Sequence, residues 1–185
     1  MKEKIEEISL SAERGHRRIL RVLSALAVIG LFAALWKWRG LAALEPIVEG
    51  GQRRWLLAIG ESIAVSLAAQ WVLYLLPWPL LALFGRTAPF CSVFSLRPCV
   101  GSNAELSRAA VLAVRLLPPA LVSAALWFAL ARVPLVWFWP VAMASAGCTV
   151  AALGMVYDAV RVLQVPGRAT FCDLGIVIQV YREVS

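Results

Sequence analysis

Four long apolar runs constrain this chain more than any other feature, because each is long enough to cross a lipid bilayer. The hydrocarbon core of a bilayer is about 30 Å thick and takes about 20 helical residues to span. The runs cover residues 19–36, 55–73 (with apolar residues continuing to 84), 106–131 and 134–157. Hydrophobic residues make up 61% of the chain, whereas soluble domains are about 45–50% apolar. The sequence therefore predicts an all-α polytopic membrane protein with about four transmembrane helices.

The runs divide the chain into three predicted parts: an N-terminal segment (1–18), a four-helix transmembrane domain (19–158) and a C-terminal tail (159–185). The charged N-terminal segment is expected to be an interfacial helix or a solvated segment. In the tail, the β-branched residues 176–181 follow a turn at 173–175, which predicts a small β-hairpin. Residues 40–54 and 85–104 are predicted to be loops, with a capping box at 102–105 before the third helix. Pro77 and Pro79 predict a break near residue 76.

The distribution of lysine and arginine predicts the orientation of the chain. Most of them lie in the N-terminal segment, near the 85–104 loop and in the tail, which places both termini in the cytoplasm and the chain in the cytoplasmic membrane. The membrane topology then accounts for the net charge of +7, so a nucleic-acid partner is not needed to explain it. The expected partners are the lipid bilayer and another membrane protein. Tryptophans fall near the opposite interface: Trp36, Trp38, Trp55, Trp127, Trp137 and Trp139.

The four cysteines lack the paired spacing of a structural zinc site. Cys91 and Cys99 lie in the 85–104 loop, Cys148 lies within the fourth run, and Cys172 lies in the tail. We expect small, reduced side chains with no shared task, and no bound metal or cofactor.

Glu61 and Gln70 carry a polar face through the second run, together with Ser62 and Ser66. A charge inside a bilayer is costly and is therefore a functional candidate. Glu61 is either a proton or cation site, or a structural group that reaches the headgroups or pairs with a nearby arginine. The arginines within reach are Arg53, Arg54 and Arg132.

Arg115 and Asp158 are the other two charges inside the runs. Arg115 lies one heptad beyond Arg108 on the third helix, and Asp158 approaches the same membrane face from the fourth helix. An ion pair between Arg115 and Asp158 would join these helices, and a catalytic role is the alternative interpretation. The small residues Gly147, Ala151 and Gly154 predict close helix packing along the approach to Asp158.

A series of short motifs between residues 83 and 181 resembles a known family. The motifs are Leu83-Phe84-Gly85, Leu106-Ser107-Arg108, Leu117-Pro118, Gly154-x-x-x-Asp158, Arg161-Val162-Leu163, Pro166-Gly167, Asp173 and Gly175. In order and spacing they are similar to a bacterial family of small membrane zincin-type peptidases related to site-2 proteases. In that family, H-E-x-x-H on one helix binds zinc, and a carboxylate from a later helix completes the site.

The chain departs from that family at the zinc-binding motif. The resemblance would place the motif at residues 73–77, or in another register at 60–64, and neither segment contains histidine. The single histidine, His16, precedes the first run. The resemblance therefore implies a degenerate, non-catalytic relative: a pseudo-peptidase scaffold that acts as a binding or assembly module. The alternative is a small transport or proton-relay component that uses Glu61 and its polar neighbours, and an enzyme built on Asp158 and Cys148 is the least expected.

Overall fold

The fold is mainly helical. The computed structural model describes residues 2–8, 14–85, 89–94, 97–166, 169–175 and 177–183. The helices are α1 (Arg14–Leu35), α2 (Leu41–Glu49), α3 (Gly51–Leu75), α4 (Pro77–Gly85), α5 (Arg108–Arg132) and α6 (Leu135–Gln164), with a π-helical turn (Trp36–Gly40) between α1 and α2. The strands are β1 (Lys2–Ile8), β2 (Phe90–Phe94), β3 (Arg97–Gly101), β4 (Thr170–Asp173) and β5 (Ile178–Glu183).

Four helical segments in the described residues are long and apolar enough to cross a membrane, which confirms the predicted number of such helices. They are Arg18–Glu49, Gly51–Gly85, Arg108–Arg132 and Leu135–Gln164. The predicted loop at 40–54 is wrong, because the first segment continues through α2 to Glu49. Ala43 and Ile47, one helical turn apart, are both buried, and this packing stabilises a helix that the sequence pattern did not reveal. Gly51 turns the chain into α3 with φ of 64°.

The predicted break in the second run is confirmed at Leu76, where α3 ends and α4 begins at Pro77. Leu76 donates its amide hydrogen to the carbonyl of Val72 over 3.0 Å, but Pro77 has no N–H to continue the series. The last helix, α6, runs six residues past the predicted boundary at Asp158, to Gln164.

The four long segments differ in how much of each is buried by the protein itself. In the most apolar window, 44% of the residues of α6 and 39% of those of α5 are buried, against 11% in the α3–α4 segment and 6% in the α1–α2 segment. The helices α5 and α6 therefore form the interior pair, while α1 and α3 turn mostly apolar surface outward. Exposed apolar surface on this scale is unusual for a soluble monomer.

The strands form a second region, here called the strand cap, which comprises β1 to β5. One sheet has the order β1-β5-β4, and β2 and β3 form a separate hairpin. The predicted C-terminal hairpin is confirmed: β4 and β5 are antiparallel, with Thr170 opposite Tyr181. The expectation for residues 1–18 is wrong, because β1 pairs with β5 and α1 begins at Arg14. The predicted loop at 85–104 contains the β2–β3 hairpin.

The predicted capping box at 102–105 is also wrong, because α5 starts later. Its N-cap is Ser107, whose side chain accepts a hydrogen bond from the amide of Ala110 at 3.3 Å. Ser102 instead accepts from the amide of Ala104 and is fully buried.

Two apolar clusters mark the opposite ends of the bundle. At one end, the strand cap packs against α4, α5 and α6 through Ile8, Leu81, Val100, Leu106, Ala110, Val111, Val114, Val162, Val165, Phe171, Ile178 and Val180. At the other end, α1, α2, α5 and α6 meet at Leu35, Ala43, Leu130, Phe138, Val141 and Ala142. The cap is thus joined to the helices by a shared core.

Candidate functional site

Arg115 projects from α5 into the boundary between the helices and the strand cap, where its side chain is 11% exposed. Its Nη1 lies 3.5 Å from Oδ2 of Asp158 on α6. The ion pair proposed from the sequence is therefore present. It joins the two interior helices where both approach the strands.

The structure adds a second carboxylate, Asp173 at the end of β4. The sequence analysis placed this residue in a turn and among the resemblance motifs, but not as a partner of Arg115. Nη2 of Arg115 donates to Oδ1 of Asp173 at 2.5 Å and to the carbonyl of Gly175 at 3.1 Å. The amide of Gly175 also donates to Oδ1 of Asp173, at 2.9 Å. The side chain of Asp173 is 1% exposed. An acidic residue directly after the apolar strand residues Phe171 and Cys172 was the available signal of a buried carboxylate.

The two carboxylates bind Arg115 unequally. Asp173 accepts two hydrogen bonds, whereas within the described residues Asp158 has only its ion pair at 3.5 Å. Nε of Arg115 is buried and has no hydrogen-bond partner there either. A buried ion pair stabilises a fold only when geometry and hydrogen bonds offset the desolvation of its charges, so Asp173 is the stronger partner. We call Arg115, Asp158 and Asp173 the arginine clasp.

Backbone hydrogen bonds reinforce the clasp where the strand cap meets α5. Leu106 and Phe171 exchange two backbone hydrogen bonds, at 2.7 and 3.0 Å. Arg108, at the start of α5, donates to the carbonyl of Val165 at 2.7 Å. These contacts satisfy polar groups that would otherwise be buried without partners. The clasp therefore belongs to a continuous hydrogen-bonded junction.

Gly175 allows the clasp turn to approach the β2–β3 hairpin. Its φ is 86°, a conformation that favours glycine. A Cβ at this position would lie 2.5 Å from Sγ of Cys99 and 2.8 Å from the carbonyl oxygen of Val100. Gly101 approaches the same turn, where a Cβ would lie 2.6 Å from the carbonyl carbon of Leu174. Neither position has room for a side chain.

All four cysteines are free. Burial raises the pKa of Cys99, against the opposing effect of the positive charge on Arg115. Burial also raises the pKa of Cys172, with a further contribution from the negative charge on Asp173. Sγ of Cys172 donates to the carbonyl of Ser102 at 3.3 Å, and Cys91 is exposed. The thiols next to the clasp, half-buried at Cys99 and buried at Cys172, are therefore poor nucleophiles at neutral pH.

Glu61 and Gln70 lie away from the clasp. Both oxygens of Glu61 accept hydrogen bonds at 3.1 Å from the guanidinium of Arg54, two turns earlier on α3. The structure thus contains the ion pair that was one of the alternatives for Glu61. Gln70 packs against α6, where its Nε2 lies 2.8 Å from the position that a Cβ of Gly147 would take. Gly147 therefore allows close contact between the helices, as the small-residue pattern predicted.

The described residues contain no group of three or more His, Cys, Asp or Glu side chains that could hold a metal ion. The side chain of His16 lies outside the described residues. Comparison with protein-family models, with curated proteins and with solved structures finds no match to this chain.

Proposed function

We propose that the chain is a multi-pass protein of the cytoplasmic membrane that acts as a non-catalytic binding or assembly module. In this proposal, the helices hold a folded strand cap at one membrane face, where the cap presents a surface to another membrane protein. The chain is then a degenerate relative of the membrane zincin-type peptidases. Both termini and the strand cap lie on the cytoplasmic side.

The observation that carries the proposal is the pairing of Arg115 and Asp158, two charged residues inside the apolar segments. Each has a partner from another element, and Asp173 extends the cluster into the strand cap. The charges thus connect helix to helix and helix to cap. Their positions support an architectural role.

The membrane assignment is supported by the outward apolar faces of α1 and α3. Leu26, Ile29, Leu56 and Ile63 are each more than half exposed, and a lipid environment would remove such side chains from water. The transport alternative has weaker support, because both oxygens of Glu61 are already bound by Arg54.

Zinc analysis tests the non-catalytic part of the proposal. Protein extracted in mild detergent without chelators should contain far less than one zinc per chain, both as wild type and as Asp158→Asn. Near-stoichiometric zinc that is lost in Asp158→Asn would contradict the proposal and identify Asp158 as a metal ligand.

Labelling of Cys91 tests the topology. This thiol is exposed on β2, so a membrane-impermeant maleimide should label it in inverted membrane vesicles and not in intact cells. Cys91→Ser is the control for labelling at the other thiols. Labelling in intact cells would place the strand cap on the outer side and contradict the predicted orientation.

A further inference from the structure

The end of the helical bundle away from the strand cap contains a groove of about 580 Å³. One face of α3 forms its long wall, the π-helical turn and α2 form the other wall, and α6 forms the floor. Its lining is almost entirely apolar and includes Trp36, Trp55, Trp139 and Met143, with Ser62 and Ser66 on the α3 wall. A volume of this size is in the range of small-molecule sites.

The floor of the groove is held in a fixed position by aromatic packing. The ring of Trp139 stacks on Phe32, with centroids 6.1 Å apart, and contacts Trp36 and Phe138 at 5.9 and 5.5 Å. Gly40, in the π-helical turn, leaves room for that ring, because a Cβ there would lie 3.2 Å from it. Short π-helical segments are frequent at functional sites. The groove is therefore pre-formed by the fold.

The length of the groove matches the depth of one leaflet and therefore fits one lipid acyl chain. From Trp55 to Leu67, at 1.5 Å per residue, α3 rises about 18 Å along the groove. One leaflet, half of a hydrocarbon core of about 30 Å, is about 15 Å deep. A single extended hydrocarbon chain is the occupant of matching length.

The charges at the mouth of the groove match a phosphate group. The groove begins near the N-terminal end of α3, where the N-cap residue is Gly50, which has no side chain to bind the amides of the first turn. Free amides and the helix dipole favour an anion at such an end. Lys37 is exposed next to Trp36 and has no ion-pair partner among the described residues. The acidic residues at this end are Glu45, Glu49 and Glu61, against the basic residues Lys37, Arg39, Arg53, Arg54 and Arg132.

We propose that this groove binds one phospholipid of the leaflet opposite the strand cap, with an acyl chain along α3 and the phosphate near Lys37 and the first turn of α3. Trp36 and Trp55 then lie at the headgroup level, where tryptophan is favoured. The inference rests on the proposed membrane location. It adds a lipid site to a protein otherwise described as a scaffold.

Lipid retention after mild detergent extraction tests the inference, with native mass spectrometry as the readout. Wild-type protein from phosphatidylcholine–phosphatidylglycerol vesicles should keep about one phospholipid per chain. Ser66→Phe fills the groove and should lower retention at least fivefold. Ser123→Phe, the same change on α5 outside the groove, should retain lipid like the wild type. Lys37→Gln should lower retention about threefold. Arg21→Gln, an exposed arginine on α1 toward the strand-cap end, should retain lipid like the wild type.

Three results would overturn the inference. One is a wild-type protein without lipid, and another is equal retention in Ser66→Phe and Ser123→Phe. The third is a wild-type dimer without lipid that Ser66→Phe converts to a monomer, because the groove would then bind a second copy. If Ser66→Phe fails to fold, Ser62→Phe takes its place, and the wild-type measurement still decides.

Membrane fractionation before extraction separates failure of this inference from failure of the proposed function. A chain that leaves the membrane in an alkaline wash contradicts the membrane location itself. A chain that stays in the washed membrane and retains no lipid overturns the groove alone.

Discussion

Arg54 and Arg115, both in the apolar segments, bind carboxylates. The partner of Arg54 lies on the same helix, whereas the partners of Arg115 lie on other elements. Arg54 binds Glu61 seven residues away on α3, and their side chains are 19% and 23% exposed. Arg115 binds Asp158 on α6 and Asp173 in the strand cap, with side chains 11%, 13% and 1% exposed. The first pair neutralises charge within one helix. The second connects three elements and is more deeply buried, so only the second is expected to determine how the chain is assembled.

The largest expected effect comes from removing the guanidinium of the clasp. Arg115→Met leaves two carboxylates buried near each other without a cation, and losing one partner of a buried pair costs about 3–5 kcal/mol. Arg54→Met is the matched control, because more exposed pairs contribute at most about 1 kcal/mol. Unfolding in mixed detergent micelles, followed by circular dichroism, measures both. Equal losses in the two variants would remove the distinction between the pairs.

The next effect distinguishes Gly51 from Gly175, the two glycines with positive φ among the described residues. Gly175→Ala should destabilise the protein by more than about 2 kcal/mol, because a left-handed residue with a Cβ costs about 1–2 kcal/mol and the new atom would collide with Cys99. Gly51→Ala has the same kind of backbone, with φ of 64°, but a Cβ there meets open space. It should show the backbone effect alone in the same unfolding assay. A smaller loss in Gly175→Ala than in Gly51→Ala would contradict the close approach of the hairpin.

Within the clasp, the two aspartates should differ. Asp173→Asn weakens two hydrogen bonds at an almost fully buried site, and hydrogen bonds to charged groups contribute about 1.5–3 kcal/mol. Asp158→Asn loses only the ion pair at 3.5 Å and should be milder. The free energies of unfolding of the two variants give the order directly. A larger loss of stability in Asp158→Asn than in Asp173→Asn would show that Asp158 contributes more to the junction.

The thiols give a pH-dependent comparison between the exposed Cys91 on β2 and the less exposed Cys99 and Cys172 beside the clasp. Burial raises the pKa of Cys99 and Cys172, so the reactive thiolate fraction of both is small at neutral pH and increases as the pH rises. At pH 7, a maleimide should modify Cys91 first, and Cys91→Ser should lower the initial rate of labelling at least tenfold. Mass spectrometry of labelled peptides measures this. Labelling of Cys99 as fast as Cys91 would contradict the partial burial of Cys99.

The smallest expected effect is that of Glu61→Gln. Because the pair with Arg54 lies within one helix and is partly exposed, its loss should change the free energy of unfolding by less than about 1 kcal/mol. If Glu61 instead belongs to a proton or cation path, the variant should abolish a flux measured in proteoliposomes while leaving the fold intact. Unchanged flux would remove that alternative.

The sequence predicted those features that depend on local pattern. Length and hydropathy predicted the four long helices, Pro77 predicted the break at Leu76, and the turn at 173–175 predicted the C-terminal hairpin. The wrong predictions all depend on contacts between distant residues. β1 has a highly charged sequence and forms a strand because β5 pairs with it, which no local pattern reveals.

For the same reason, only part of the clasp could be predicted from the sequence. Arg115 and Asp158 are conspicuous because charges are rare in apolar runs, so their pairing could be proposed from helix positions alone. Asp173 lies in a polar tail, where an aspartate before a turn is ordinary. Only the folded hairpin places it against Arg115, 58 residues earlier in the chain.

Hydrogen exchange tests the central claim most directly, namely that Arg115 fastens the strand cap to the helices. Backbone amides of the C-terminal strands, β4 and β5, should be compared between Arg115→Met and Arg54→Met by mass spectrometry in detergent. We predict that exchange in these strands accelerates at least tenfold in Arg115→Met and remains at the wild-type rate in Arg54→Met, with α6 protected in both. Strands that stay protected in Arg115→Met would contradict the claim, because the shared apolar core would then hold the cap without the clasp.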